Sequence, residues 1–278
     1  MKSTILHIGF PKTANKWFQK FFYPFVEELY MADRDDLSNF LLFNDIFEFN
    51  PQNLQRELLN KAKNQRLILC EDLILGGLDV HYGSGEYLYL NAQKLRKTFE
   101  NVDIVILVRN QHFALESAYS HYIKMGGTYS VKKYLGLGQR FRHKYQNYHF
   151  FSPSIFRYYS IIKLYVELFG KENVHVFLYE DLLNEPESFM DRFCNKINVD
   201  KPKEINFSVK ENSRLSSTAL FTARFLNRFT CRNTLFKNYL LGLNFLYPYI
   251  ISTGKHIDNF EFIRKRSFGF DRRTHEWI

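Results

Sequence analysis

The sequence predicts a three-layer α/β fold in which a central, mainly parallel β-sheet is flanked by helices. Short apolar runs at residues 67–70, 102–108 and 174–179 have the length and unbroken hydrophobicity of strands buried on both faces. Segments with helical apolar spacing follow them, at 91–99, 114–123, 158–168 and 186–197. The opening stretch, residues 4–19, reads as strand, tight loop and helix start. Apolar residues make up 45% of the 278 and aromatics 18%, with 29 Phe and 18 Tyr. That argues for a substantial core and against disorder, so one domain covering 1–278 is expected.

Residues 4–19 set the pattern. The strand from Thr4 turns at Gly9 and Pro11, and Trp17, Phe18, Phe21, Phe22 and Phe25 follow at near-helical spacing. A loop closing onto a helix start offers backbone N–H groups and the positive end of the helix dipole, which suits a phosphate or sulfate. Lys12 adds a mobile cation. The same spacing also fits an ordinary strand-to-helix turn with a solvated lysine. The nucleotide pattern G-x-x-x-x-G-K-[ST] is absent, because Lys12 and Thr13 follow Gly9 without a second glycine, and this counts against a P-loop kinase.

Residues 34–56 are polar and acidic and read as a connection. The run at 67–70 ends in Glu71 and Asp72. Ligands of open α/β sheets lie beyond the carboxyl ends of strands, so this pair sits where chemistry is expected, although a helix cap or a surface charge would use the same residues. Glycines at 76, 77, 83 and 85 flank His81 and Tyr82. The clearest central strand, 102–108, is closed by Arg109, and Ser117 follows eight residues later on a helix. A guanidinium fork and a hydroxyl so placed suit a single anionic group. Residues 124–154 are rich in Gly, Lys, Arg and Tyr, with basic residues at Lys132, Lys133, Arg140, Arg142 and Lys144, and further basic clusters lie at 264–266 and 272–273. Gly170 ends the helix at 158–168.

The formal charge of +9 favours an anionic ligand or surface without choosing among them. Cys70, Cys194 and Cys231 lack metal-ligand or paired spacing, so a reduced compartment and no metal are expected. The first strand begins too early to leave room for a secretory signal, and a cytoplasmic location follows as an expectation. Residues 239–251 form the most apolar run, which is too short for a comfortable span and contains Pro248. A buried segment is expected there, with interfacial contact left open.

Residues 4–19 resemble the 5′-phosphosulfate loop of sulfotransferases, where a strand and Pro-Lys-Thr/Ser lead into a small residue, two threonines and a helix. Pro11, Lys12, Thr13 and Ala14 match, Asn15 and Lys16 replace the threonines, and Trp17 follows. The stretch VILVRNQHFALESAYSHY resembles the same family's 3′-phosphate motif, with Arg109 and Ser117 in the matching positions. Two motifs in the right order are more specific than either alone. Residues 174–200 resemble the strand and helix after the family's acceptor segment, with Glu180 and Asp181 as anchors. Residues 210–229 resemble the segment that covers the nucleotide, including Asn212 and Ser213.

The resemblance spans residues 4–228 and implies a P-loop-like fold binding 3′-phosphoadenosine 5′-phosphosulfate (PAPS), with 3′-phosphoadenosine 5′-phosphate (PAP) as product. It implies sulfuryl transfer to an acceptor hydroxyl, by preference of a saccharide. Lys12 would meet the charge growing on the leaving phosphate. Glu71 is the first candidate for the base and His81 the second, since glutamate serves glycan-modifying members and histidine many of those acting on small molecules. A non-catalytic nucleotide- or glycan-binding relative stays open as an alternative, carried by Asn15 and Lys16. Nucleic-acid binding has only charge and aromatics in its favour.

Overall fold

Five strands form one sheet: β1 (Thr4–Gly9), β2 (Leu29–Met31), β3 (Arg66–Cys70), β4 (Val102–Val108) and β5 (Val174–Leu178), in the order β2-β3-β1-β4-β5. All four pairings are parallel. This computed structural model describes residues 3–37, 47–76, 78, 87–135, 151, 153–208, 215–230, 240–243, 245 and 249. His81, Asn212, Ser213, Arg140, Arg142, Lys144 and the clusters at 264–266 and 272–273 lie outside the described residues.

Every residue of β1 and β3 is buried, as continuous apolar strands covered on both faces must be. Successive side chains point to opposite faces, so each strand feeds two cores. On one face Leu6, Leu69 and Ile104 meet α3 (Pro51–Ala62), α4 (Leu88–Thr98) and α7 (Tyr158–Phe169), through Leu58, Leu95 and Tyr165 among others. On the other, Ile5, Ile68 and Val105 meet Phe18, Phe22 and α9 (Pro186–Ile197), which contributes Phe189, Phe193 and Ile197. The chain leaving β1 therefore passes to one face, and the helices after β2 and β3 pack on the other. Such a reversal opens a crevice at the carboxyl end of the central strand, where ligands of this architecture bind.

Two local readings differ from the structure. Residues 34–56 are more than a connection, since α2 (Arg34–Leu37) and the first half of α3 fall within them. Asn50 caps α3 by accepting from the Asn53 N–H at 2.9 Å, and Pro51 stands at its start, where a missing N–H costs nothing. Leu54, Leu58 and Ala62 then lie on one buried face. The segment after the first loop is helical but irregular. α1 (Asn15–Trp17) passes into a wide turn at Phe18–Phe22 and a tight one at Tyr23–Phe25, so no long regular helix aims its dipole at the loop.

At the amino ends of the strands, the buried Arg66 guanidinium pairs with Asp103 at 2.6 Å and donates to the carbonyls of Ser3 and Ile197, each at 2.6 Å. His175 meets the other Asp103 oxygen at 2.9 Å. Three strands, β3, β4 and β5, and the segments at Ser3 and Ile197 are tied together there, opposite the carboxyl ends.

The elements above make up one compact unit, with α8 (Tyr179–Asn184); α5 (Gln111–Lys124), α6 (Val131–Tyr134) and α10 (Ser217–Leu226) belong to a second. In the second unit, Asn227 is fully buried and donates to the carbonyls of Ile123 and Gly127, both at 2.9 Å. The Tyr122 hydroxyl accepts from the N–H groups of Thr128 and Tyr129, and its ring packs 4.9 Å from that of Tyr134.

Candidate active site

The loop between β1 and α1 is shaped by its own side chains. Gly9 has φ +123°, and a Cβ there would lie 3.3 Å from the Leu75 side chain, so a larger residue would be strained by its backbone conformation and tight against the turn following β3. Lys12 and Ala14 are both left-handed, at φ 70°. Non-glycine residues adopt this conformation at a cost, and left-handed residues within a turn aim successive N–H groups at a common point. The buried Thr13 hydroxyl and the Asn15 amide, the latter at 3.0 Å, donate to the carbonyl of Phe10 and close the loop on itself. Asn15 Oδ1 is buried without a hydrogen-bond partner among the described residues. Lys12 is half-buried and Lys16 exposed.

Arg109 lies at the carboxyl end of β4 and reaches this loop. Its Nη1 donates to the Lys12 carbonyl at 3.1 Å, and its guanidinium lies over the Tyr179 ring, 4.7 Å from the centroid. The structure thus brings Pro11, Lys12, Thr13, Ala14, Asn15 and Arg109 together. Trp17 is built into the core beneath: its indole N–H donates to the Asn206 carbonyl at 3.2 Å and its ring stacks on Phe207. Ser117 lies part-exposed on α5 of the second unit.

Glu71 follows β3 at the same end of the sheet. Its backbone N–H donates to the His7 carbonyl at 3.1 Å, and its carboxylate caps the short turn at 72–75 by accepting from the Leu73 N–H at 3.1 Å. Arg34 closes over it, with Nε 3.1 Å from Oε2. The Glu71 side chain is only 2% exposed. Burial first, and then the neighbouring Asp72 carboxylate, push its carboxyl up to about 7, against the opposing pull of the Leu73 N–H and the Arg34 charge. Gln19 donates to the Cys70 carbonyl at 2.6 Å and ties the helical segment to the end of β3.

His7, inside β1, is wholly buried with Nδ1 2.8 Å from the Tyr23 hydroxyl. Burial pulls its pKa down to about 3, so it is neutral at pH 7. Sequence reasoning missed Arg34 and Tyr179. Arg34 is 37 residues from its partner and carries no local signal. Tyr179 did carry one, because it directly follows β5 as Arg109 follows β4.

With this geometry the chain is similar to a sulfotransferase from Alicyclobacillus acidocaldarius, with a TM-score of 0.53 and 16% identity, covering 77% of this chain and 87% of that one. That similarity establishes a sulfotransferase fold. Lower scores relate it to the sulfotransferase domain from the curacin biosynthetic pathway (TM-score 0.46, 13% identity, 99% and 96% coverage). A mouse sulfotransferase complexed with PAP also matches (TM-score 0.40, 12% identity, 100% and 82% coverage). No protein-family model matches the chain, and no curated protein matches it by sequence.

Proposed function

We propose that this chain, which carries the fold of the bacterial sulfotransferase, transfers a sulfuryl group from PAPS to an acceptor hydroxyl, and that the acceptor is a saccharide. One observation carries the reading. The loop after β1 is left-handed at Lys12 and Ala14, closed by two buried donors on one carbonyl and tied from β4 by Arg109. A loop prepared at that conformational cost suits a fixed anion at the carboxyl end of the sheet.

The Lys12 ammonium neutralises charge on the bridging oxygen as the sulfur–oxygen bond to phosphate breaks. Placement and electrostatics of this kind carry most of the catalysis when so little covalent chemistry is asked of the protein. Arg109 fixes the backbone beneath Lys12. The resemblance assigns Arg109 and Ser117 to the 3′-phosphate, and Asn212 and Ser213 to the nucleotide cover. Glu71 accepts the acceptor's proton as the new oxygen–sulfur bond forms, and PAP leaves. Access to that carboxylate requires Arg34 to move aside, and the Arg34 side chain is 55% exposed. His81 is the second candidate for the base. Lys132 and Lys133 on α6 support an acidic or polar saccharide. A cytoplasmic location rests on the free cysteines Cys70 and Cys194, both buried and reduced.

A binding protein without transfer is favoured by one feature: Asn15 turns inward to Phe10 and Lys16 is exposed, so neither supplies the hydroxyl that the resemblance associates with these positions. Calorimetric titration with PAP, against adenosine monophosphate and ATP, comes first, followed by transfer of labelled sulfuryl to a saccharide panel. Selective PAP binding with transfer supports the enzyme, and selective binding without transfer the second reading. Equal affinity for all three nucleotides sinks both.

A further inference from the structure

The second unit exposes apolar side chains on α10 and on the chain beside its end. On α10, Phe221 and Phe225 stand one turn apart and are 59% and 51% exposed, although Ala219, Leu220 and Ala223 already supply the helix with a buried side. The Leu240 N–H donates to the Arg228 carbonyl at 2.6 Å and the Leu243 N–H to the Phe229 carbonyl at 2.9 Å, so a second piece of chain is fastened beside the end of the helix. The Phe229 ring lies 5.7 Å from that of Phe225. On the fastened piece Leu240 is 68% exposed, Leu241 53% and Phe245 68%. A large aromatic side chain carries about 150–250 Å² of surface, so the cluster presents on the order of several hundred Å². Apolar area on this scale left in water at one end of a helix is a feature of interaction sites.

The charge of this stretch of sequence bears on what covers the exposed side chains. Residues 212–257 contain no Asp or Glu, although the chain has 29 of them, and do contain Arg214, Arg224, Arg228, Arg232, Lys237 and Lys255. Arg228 is exposed, one turn on from Phe225 and beside Leu240. A stretch of sequence rich in Phe and Leu that carries basic residues and no acid has the composition of segments lying in a membrane interface, where apolar groups enter the headgroup boundary and basic groups meet lipid phosphates. No helix among the described residues is long and apolar enough to cross a membrane.

We propose that Phe221, Phe225, Leu240, Leu241 and Phe245, with Arg228, dock this protein on an anionic bilayer surface. The test is flotation of the full chain with vesicles of phosphatidylcholine alone and of phosphatidylcholine mixed with phosphatidylglycerol, with sedimentation velocity run in parallel. The protein binds the anionic vesicles and binds neutral ones roughly tenfold more weakly or less, since each basic residue near such a surface contributes about 1 kcal/mol. Arg228→Glu reverses one charge and weakens anionic binding roughly tenfold, and added salt does the same. Phe225→Asp and Phe245→Asp each cut binding about tenfold or more by removing buried apolar area and adding repulsion. Both positions are exposed, and an unchanged circular dichroism spectrum identifies the variants that report on docking; Arg228→Glu serves should either Phe variant fail to fold. Absence of vesicle binding, or binding that none of the variants weakens, overturns the proposal. So does a dimer abolished by Phe225→Asp in a protein that ignores vesicles, because the patch then belongs to a second copy.

Discussion

Arg109 grips Lys12 by its backbone: the guanidinium donates to the Lys12 carbonyl at 3.1 Å while stacking on Tyr179 at 4.7 Å. The residue it holds is left-handed, so the contact stabilises a conformation that the lysine alone disfavours. Arg109→Ala and Lys12→Ala should each weaken PAP binding about tenfold to a hundredfold, the usual effect of losing a charge-assisted hydrogen bond. Because both act through one loop, the double variant should lose less than the sum of the two. Arg109→Lys keeps the charge but neither the fork nor the stacking, and should recover only part of the affinity. Calorimetry checks all four proteins, and unchanged affinity in both single variants removes the loop from the site.

Glu71→Gln should leave PAP affinity intact and lower turnover by about 10²- to 10⁴-fold, the range for a lost general base. With the carboxyl pushed up to about 7, turnover of the parent protein should rise with pH up to about 7 and then level if Glu71 acts as the base, because a base must be ionised to take the proton. Arg34→Ala removes a charge that pulls this pKa down and should move the rise to higher pH. Retained turnover in Glu71→Gln transfers the role to His81.

Asp103→Ala should leave the Arg66 guanidinium buried without its counter-charge, and unfolding in urea should show a loss of about 3–5 kcal/mol. PAP affinity of the folded fraction should not change, because Asp103 stands near the amino end of the sheet and the loop at its carboxyl end, about 15–20 Å along a strand. Burial raises the Asp103 pKa, but hydrogen bonds from His175 and Ser3 and the Arg66 charge outweigh it and leave the pKa below its ordinary value. The stabilisation it gives is therefore present at neutral pH and lost as pH falls through that depressed value.

What the sequence conveyed was local. The runs at 102–108 and 186–197 coincide with β4 and α9, since an unbroken apolar strand and an amphipathic helix each declare themselves within a dozen residues. β2 has only three residues and no period to read. α3 was legible from Asn50, Pro51 and the spacing of Leu54, Leu58 and Ala62, but the acidic residues before it masked the signal. At the site, positions after strands pointed to Glu71 and Arg109, whereas the pairing of Glu71 with Arg34 and of Arg66 with Asp103 joins residues 37 apart in each case. No pattern within one element encodes such contacts; the sheet order brings them together.

That sheet order also sets His7 and Glu71 against each other in the pH dependence of stability. They are linked through the Glu71 N–H and the His7 carbonyl at 3.1 Å, and both side chains are buried. Glu71 has its folded pKa raised from 4.5 to about 7, so the folded state holds the extra proton between those values and stability falls as pH rises through that window. His7 has its pKa lowered from 6.5 to about 3, so the unfolded state holds the extra proton and stability falls as pH drops below 6.5. Each group contributes a slope of up to about 1.4 kcal/mol per pH unit, with opposite signs. Between pH 4.5 and 6.5 their contributions to the parent protein should nearly cancel. His7→Gln should uncover the Glu71 slope, with stability greatest at the acid end, and Glu71→Gln should uncover the His7 slope, with stability greatest near neutrality. Urea melts of the three proteins across this window measure the slopes directly. Variants whose slopes share a sign would show that one of the two groups does not titrate in its buried position.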